Sequence, residues 1–362
     1  MKKHQKHTAL ARPSTGFFGR NEYALVGAPC GDVQQLAAEL INQLVVPEST
    51  YVDADHTSGD SDDAGLSHNE FTDKIRFVRF DKQKLNDFDR KILLNDQNLI
   101  FVNGNHFQAA KQLVLIHPKK EASLKKRIGQ LTDIRAYILC GGAEKPFDWL
   151  KELIADQPVF HIHETEKIAA FIRKSILPAP IKGLVLAGGK SIRMGEDKGQ
   201  IHYHGIPQTD YLLREFENAG IEAFVSCRAN QYENYKRITD KFDNLGPFGA
   251  IVSAFQADPD AAWLVVACDL PRVNASVFRE LIRQRNIWKT ATAFYNAATE
   301  FPDPLLTLWE PKAYIRLMQF VALGYSCPRK VLINSDIELI SPPDPQILKN
   351  VNTPEERADF LS

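Results

Sequence analysis

The chain has 362 residues, 44% of them hydrophobic and 25% charged, with 44 Lys and Arg against 45 Asp and Glu. That length accommodates two domains, each with its own core, and a formal net charge of −1 removes the electrostatic reason to expect nucleic-acid binding. No apolar run approaches the ~18 residues of a membrane span, the basic start Met1–His7 lacks the apolar segment of a signal peptide, and five cysteines (Cys30, Cys140, Cys227, Cys268, Cys327) are scattered without a CxxC pair. Neither a disulfide framework nor a zinc knuckle is indicated. The expectation is a soluble cytoplasmic protein without nucleic-acid or membrane partners.

Residues 1–19 are polar and basic, with Pro13, Ser14 and Gly16, and read as a mobile tail. From Tyr23 an apolar run ends in Gly27-Ala28-Pro29-Cys30-Gly31, and Leu36, Ala37, Leu40, Ile41 and Leu44 follow at helical spacing, so the segment reads as strand, glycine turn, helix. Asp53–Asp63 is an acidic loop. The runs Ile75–Phe80, Leu99–Val102, Leu113–Ile116, Ala136–Leu139 and Val159–His161 alternate with polar, partly helical segments, the pattern of a parallel α/β sheet.

Ser175-Ile176-Leu177-Pro178-Ala179-Pro180 ends the helix before it, because proline removes a donor and restricts its neighbour. The linker is placed at 177–180, between a domain at 20–176 and another at 181–362. The second domain begins with the strand Ile181–Leu186 and a glycine loop. Helix Tyr211–Ala219, strand Ala223–Ser226, strand Ala262–Ala267 ending at Asp269, and helix Ala275–Arg285 follow. Strands Ala291–Phe294 and Leu305–Leu308 and helix Pro311–Leu323 come next. Thr353-Pro354-Glu355-Glu356 is a helix start, with a threonine cap, proline at the first position and glutamate three after the cap. The fold expected is two three-layer αβα domains.

The loop Leu186-Ala187-Gly188-Gly189-Lys190-Ser191-Ile192-Arg193-Met194-Gly195-Glu196-Asp197-Lys198 carries the chemistry. Glycines directly after a strand let the backbone pass close to a phosphate, and consecutive N–H groups can form an anion-binding concavity. Arg193 and Lys198 add positive charge, so the loop has the parts for holding a triphosphate and neutralising charge during transfer. It is neither a Walker A loop nor GxGxxG. An ordinary strand-to-helix turn with surface basic residues is the alternative. Asp269, just past a buried strand, stands where open α/β sheets bind ligands, and one carboxylate plus substrate phosphates is a usual way to hold Mg²⁺. A turn-capping aspartate is the other reading. The pairs His161/His163 and His202/His204 read as surface strand histidines.

The loop matches LAGGxSxRMGxDK, and in this it resembles the molybdenum cofactor guanylyltransferases, the MobA type within the GT-A-like nucleotidyltransferases. Asp240, Gly246–Ala254, Cys268-Asp269-Leu270-Pro271 and Asn350-Val351-Asn352-Thr353-Pro354-Glu355-Glu356 match in order, so the resemblance covers about residues 181–362. It implies a GT-A/Rossmann-like domain with a mostly parallel sheet, which transfers GMP from GTP to the phosphate of molybdopterin or Mo-molybdopterin and releases pyrophosphate.

The resemblance makes Arg193, Lys198 and Asp269 catalytic, with Asp269 the Mg²⁺ ligand. Leu186, Ala187, Gly188, Gly189, Lys198, Arg228, Asp240 and Asp269 fall on the nucleotide; Arg329, Lys330, Asn350 and Asn352 fall on the pterin substrate. Asp240 is otherwise a surface turn residue. Arg228 departs from the family, which usually has asparagine there, and is either a ligand contact or a surface arginine. A cytidylyl- or sugar-phosphate nucleotidyltransferase, or a nucleotide-binding scaffold for cofactor delivery, is the alternative.

Tyr23–Val33 is placed like a strand, P-loop and helix, but its loop Gly27–Val33 is one residue short of GxxxxGK[ST], with Asp32 for the lysine and Val33 for the hydroxyl. Asp53-Ala54-Asp55-His56 and Asn103-Gly104-Asn105-His106-Phe107 resemble elements of a MobB-type GTP-binding adaptor. Residues 20–176 therefore read as a degenerate adaptor that no longer binds nucleotide, or as an unrelated α/β domain. An apo-molybdoenzyme or its chaperone is a partner implied by the resemblance.

Overall fold

The computed structural model describes residues 10–54, 69–82, 85–150, 153, 156–188, 197–242 and 244–361. They form two compact units, residues 15–177 and residues 178–361 with 10–14.

In the first unit, β1 (Glu22–Val26) leads through Gly27 into α1 (Cys30–Leu44), followed by β2 (Ser49–Val52), β3 (Glu70–Asp73), β4 (Val78–Asp81), α2 (Asp87–Leu93) and β5 (Leu99–Asn103). β6 (Lys111–Ile116), α3 (Glu121–Lys125), β7 (Ile134–Leu139), β8 (Val159–His161) and α4 (Thr165–Ser175) complete it. A six-stranded parallel sheet has the order β2-β5-β1-β6-β7-β8. β1 and β5 are buried at every residue, as in sheets covered on both faces. α1 buries Val33, Leu36, Ala37, Leu40 and Leu44, one stripe at helical spacing. Gly27 has φ 108°, and a Cβ there would run into the Leu115 carbonyl oxygen, so the turn into α1 requires glycine.

Two expectations change here. The run Ile75–Phe80 is no strand of the parallel sheet: its second half belongs to β4, which forms a separate antiparallel ribbon with β3, and Ile75 at the turn is 98% exposed. Strand-like composition gives a short run no partner, and charged Asp73, Lys74 and Arg76 around Ile75 keep it in water. Of the tail, residues 1–9 lie outside the described residues. Residues 17–19 are held by Glu22, whose carboxylate accepts the N–H groups of Phe17, Phe18 and Gly19 at 2.9, 2.6 and 3.0 Å, with Phe18 buried.

In the second unit, β9 (Ile181–Leu186), α5 (Gln208–Asn218), β10 (Ala223–Cys227), β11 (Arg237–Thr239), α6 (Pro247–Ala257), β12 (Ala262–Ala267) and α7 (Ala275–Arg283) come first. β13 (Ala291–Asn296), β14 (Phe301–Trp309), α8 (Ala313–Ala322), α9 (Pro328–Ile333), β15 (Glu338–Ile340) and α10 (Pro354–Leu361) follow. The sheet order is β11-β10-β9-β12-β14-β13-β15. β14 runs antiparallel to β12 and β13, and the other pairings are parallel.

Alternate residues of each strand feed opposite cores. Leu264 and Val266 pack with Leu212 and Phe216 of α5 and Phe278 and Leu281 of α7. Trp263 and Val265 pack with Phe248, Ile251 and Phe255 of α6 and Leu317 of α8. Helices thus cover both faces, giving three layers. The chain leaves β9 toward β10 on one side, and β12 lies on the other. This is a topological switch point, and the crevice beyond these strand ends is the place for a ligand. His202 and His204 are not strand neighbours: His204 lies in a bend, where Nε2 donates to the Pro271 carbonyl at 2.8 Å and the ring stacks on Tyr211 with centroids 3.8 Å apart.

Candidate active site

At the switch point a cavity of about 1070 Å³ opens, lined by Leu186, Ala187 and Gly188 after β9, by Ser226–Gln231 at the end of β10, and by Asp269 after β12. Lys198, Asp240, Gly246, Pro247 and Asn352 complete much of the wall. The structure thus brings together Leu186, Ala187, Gly188, Lys198, Arg228, Asp240, Asp269 and Asn352. Gly189 and Arg193 lie outside the described residues. Arg329, Lys330 and Asn350 do not line this cavity.

The end of β9 lies close to that of β10: a Cβ on Gly188 would stand 3.0 Å from Cys227 Cα and 3.4 Å from the Arg228 nitrogen. Both Ala187 and Gly188 donate their N–H groups to the Ser226 carbonyl at 3.1 Å. This corrects part of the anion-concavity expectation, because these two amides are already used in the sheet end.

Lys198 opens a short 3-10 turn, Lys198–Gln200, capped by Asp197 Oδ1, which accepts the Gly199 N–H at 3.0 Å. Its Nζ lies 3.3 Å from Asp269 Oδ2 and donates to Asn352 Oδ1 at 2.6 Å. The Val351 N–H donates to the Asp269 carbonyl at 2.8 Å, holding the C-terminal segment against the end of β12. Asn352 and Thr353 donate N–H groups to Glu356 Oε2 at 2.5 and 3.2 Å, while the Glu356 N–H returns to Thr353 Oγ1 at 3.2 Å. That reciprocal cap, expected from the sequence, fixes the segment carrying Asn352.

Asp269 Oδ1 is buried without a hydrogen-bond partner among the described residues. A carboxylate oxygen in that state costs free energy unless a cation or donor joins it. Among the described residues no group of three or more His, Cys, Asp or Glu is arranged to hold a metal. The donor set therefore fits a cation that takes one protein carboxylate and completes its shell with substrate oxygens. Burial pushes the neighbouring Cys268 thiol up to about 12, so it stays protonated and is no nucleophile at neutral pH.

Asp240 Oδ1 accepts the Phe242 N–H at 2.9 Å and the Ser253 hydroxyl at 3.1 Å. A Cβ on Gly249 would come 3.0 Å from that oxygen, so Asp240 sits tight against the first turn of α6. The Arg228 side chain is exposed, and the residue's backbone N–H donates to Gln231 Oε1 at 3.2 Å. Arg237, which motif reading did not single out, holds this turn: Nη1 donates to the Ala229 and Gln231 carbonyls at 2.9 and 2.6 Å. No sequence spacing announces a contact of this kind.

Arg329 lies on α9 near Asp303, whose carboxyl burial pushes up while Asn296 and Arg329 pull it back. Asn296 Nδ2 donates to Asp303 Oδ2 at 3.2 Å, and Arg329 Nε is buried without a hydrogen-bond partner among the described residues. Lys330 Nζ sits 4.8 Å above the Tyr325 ring. In the first unit, Asp32 lies in the first turn of α1 with Oδ2 3.6 Å from His117 Nε2, and Val33 is fully buried. Asp55 and His56 lie outside the described residues.

An αβα unit with a lysine–carboxylate pair at its switch-point cavity is built to hold a charged ligand there, and its relatives make the chain a nucleotidyltransferase. The MobA-like NTP transferase domain family matches residues 183–336. The molybdenum cofactor biosynthesis bifunctional protein of Synechocystis sp. is 31% identical over 233 residues, covering 62% of this chain and 67% of that one. The molybdenum cofactor guanylyltransferase of Pseudomonas fluorescens (strain Pf0-1) is 28% identical over 184 residues, 49% of this chain and 91% of that one. Among solved structures, molybdopterin-guanine dinucleotide biosynthesis protein A from Archaeoglobus fulgidus is 19% identical with a TM-score of 0.43, covering 49% of this chain and 96% of that one. The chain belongs to the MobA-like molybdenum cofactor guanylyltransferase family.

Proposed function

We propose that the protein transfers GMP from GTP to the terminal phosphate of molybdopterin or Mo-molybdopterin, releasing pyrophosphate. The observation that carries this reading is the meeting of Lys198, Asp269 and Asn352 at one wall of the switch-point cavity. A phosphate monoester is largely ionised at neutral pH, its second pKa being about 6. Its oxygen attacks the α-phosphorus of GTP, the bond to the β-phosphate oxygen breaks, and pyrophosphate leaves without a protein base. The chain's work is to align two polyanions and stabilise charge.

Lys198 takes the developing negative charge at phosphorus, and Arg193 is assigned the same task. Asp269 would hold Mg²⁺ through Oδ1, and the ion would neutralise phosphate charge. Leu186, Ala187, Gly188, Gly189, Arg228 and Asp240 are assigned to the nucleoside and its phosphates. Arg329, Lys330, Asn350 and Asn352 are assigned to the pterin. Leu305 lines the cavity and Asp303, two residues before it, neighbours Arg329, which gives the direction in which the second substrate would extend.

The division we propose is a degenerate adaptor-like domain at 20–176, a linker at 177–180 and the transferase at 181–362. The match to the bifunctional relative spans a larger share of the chain than residues 181–362 make up, which supports a fused arrangement. The reading carries a cytoplasmic reaction and delivery to an apo-molybdoenzyme or its chaperone. Among the described residues no helix is long and apolar enough to cross a membrane. The test is pyrophosphate release from MgGTP with molybdopterin, set against MgCTP and MgATP. Preference for CTP moves the assignment to cytidylyl transfer, and no release with any nucleotide overturns it.

A further inference from the structure

Tyr232 has φ 54°, a left-handed conformation that a bulky residue adopts only when its surroundings hold it. Its hydroxyl donates to Asp197 Oδ2 at 2.9 Å and lies, with the Thr209 hydroxyl, against Gly199. The ring packs edge-on against Tyr235 with centroids 5.5 Å apart. The place where a Cβ on Gly199 would fall is filled by the Tyr232 and Thr209 hydroxyls, so the 3-10 turn is seated directly on this phenol.

Asp197 uses its two oxygens differently: Oδ1 caps the turn at Gly199, and Oδ2 is taken by Tyr232. The turn so clamped begins with Lys198, whose Nζ reaches Asp269 and Asn352. Gln231 lines the cavity and Tyr232, the next residue, does not. Tyr232 therefore stands behind the site, joining the nucleotide-side turn at Arg228–Gln231 to the turn that aims the lysine.

We propose that Tyr232 is the positioning residue for Lys198 in nucleotidyl transfer. The proposal rests on the transfer reading above for its kinetic consequence, but the placement of Lys198 can be read without any substrate. A lysine has a flexible four-carbon stem, and holding it in one geometry has to come from the backbone turn that starts it. Removing the phenolic hydroxyl leaves Asp197 Oδ2 without its donor and frees the turn to shift. An ångström of displacement at a charge-stabilising group costs turnover rather than substrate affinity.

The experiment uses the full chain and two variants, Tyr232→Phe and Asp197→Asn, with folding checked by thermal melting. Initial rates with MgGTP and molybdopterin give kcat and KM. Trace acetylation of Lys198 in the ligand-free protein, read by mass spectrometry, reports whether the amine is still held against Asp269 and Asn352. The expected result for Tyr232→Phe is a fall in kcat of about tenfold, the effect of one hydrogen bond to a charged group, with KM for GTP within about twofold and Lys198 labelled faster. Asp197→Asn should move both readouts in the same direction. If Tyr232→Phe melts early, Asp197→Asn alone decides. Unchanged kcat and unchanged labelling in a folded variant overturn the proposal, as does a raised KM with kcat intact, which would make Tyr232 a nucleotide-binding residue. A wild-type chain that releases no pyrophosphate refutes the transfer reading, while the labelling still decides whether Tyr232 holds Lys198.

Discussion

Lys198 Nζ and Asp269 Oδ2 lie 3.3 Å apart, although 71 positions of sequence separate the two residues. Two strand ends carry them there: Lys198 lies beyond the glycine loop that leaves β9, and Asp269 lies beyond β12, the parallel neighbour of β9. With Oδ2 facing the ammonium, Oδ1 is buried without a partner among the described residues, which leaves that oxygen for the cation proposed above.

Asp269→Asn should abolish transfer with little change in fold, because the amide is isosteric and keeps the packing beside Lys198. The lost charge weakens cation binding at Oδ1 and leaves Lys198 less well paired. Thermal melting within about 2 °C of wild type with no detectable turnover is the expected pair of results; a ~1 kcal/mol change would move Tm by only a few degrees in a chain this size. A variant that turns over normally at low Mg²⁺ removes Asp269 from the metal role.

Lys198→Ala should cost more in kcat than in affinity for GTP. A contact that strengthens as charge redistributes at phosphorus lowers the barrier, whereas uniform binding does not. Loss of one such electrostatic contact is worth ~3 kcal/mol, or about a hundredfold in rate. Steady-state kinetics check it, and a raised KM with kcat unchanged would make the lysine a binding residue.

Arg285 and Glu310 form a bidentate pair that is almost wholly buried: Nε to Oε1 is 2.6 Å and Nη2 to Oε2 is 2.8 Å, with side chains 8% and 3% exposed. Arg285 also donates to the Ala179 carbonyl at 2.9 Å. Arg285→Ala strands a buried carboxylate and should destabilise the chain by ~3–5 kcal/mol. Denaturant unfolding measures this, and a change under 1 kcal/mol would show that water reaches Glu310 and compensates it.

The sequence carried the positions whose chemistry is local. The motif order names Gly188, Lys198, Asp240, Asp269 and Asn352, which the structure brings to one cavity, and the Thr353/Glu356 spacing gives the reciprocal cap. What stayed hidden depends on tertiary contact. The run Ile75–Phe80 pairs in the β3–β4 ribbon and not in the parallel sheet, because a short apolar run does not say which strand it will pair with. Helix α6 starts at a proline after Gly246 with φ 55°, and it is buried at every residue from Phe248 to Phe255, so no polar face marks a helical stripe. Arg237 and Tyr232 act by holding turns, through backbone carbonyls and a distant carboxylate, and no periodicity records such contacts. The use of the Ala187 and Gly188 amides by Ser226 was likewise invisible, since it depends on how β9 ends against β10.

The last prediction concerns the first unit: residues 15–177, which form a compact unit by themselves, should not bind MgGTP at the Gly27–Val33 turn. A phosphate loop needs an ammonium for the β- and γ-phosphates and a hydroxyl for Mg²⁺. Here the first turn of α1 carries Asp32, held 3.6 Å from His117 Nε2, while His117 Nδ1 accepts the Lys119 N–H at 3.1 Å. That acceptor role leaves a proton on Nε2 on the side of Asp32, whose partly exposed carboxylate lies beside the turn, just beyond hydrogen-bond distance. At close range a carboxylate against a triphosphate turns an attraction of a few kcal/mol into a repulsion of similar size, taking an effective dielectric near 20. Val33, where a hydroxyl would anchor magnesium, is fully buried in the core, so the ion finds no protein ligand there. Calorimetry of residues 15–177 with MgGTP should give no heat of binding up to millimolar nucleotide, and Asp32→Lys should not by itself create a site. Micromolar binding that vanishes in Gly27→Ala would show a working nucleotide loop and overturn the assignment of this unit as an adaptor that has lost its nucleotide.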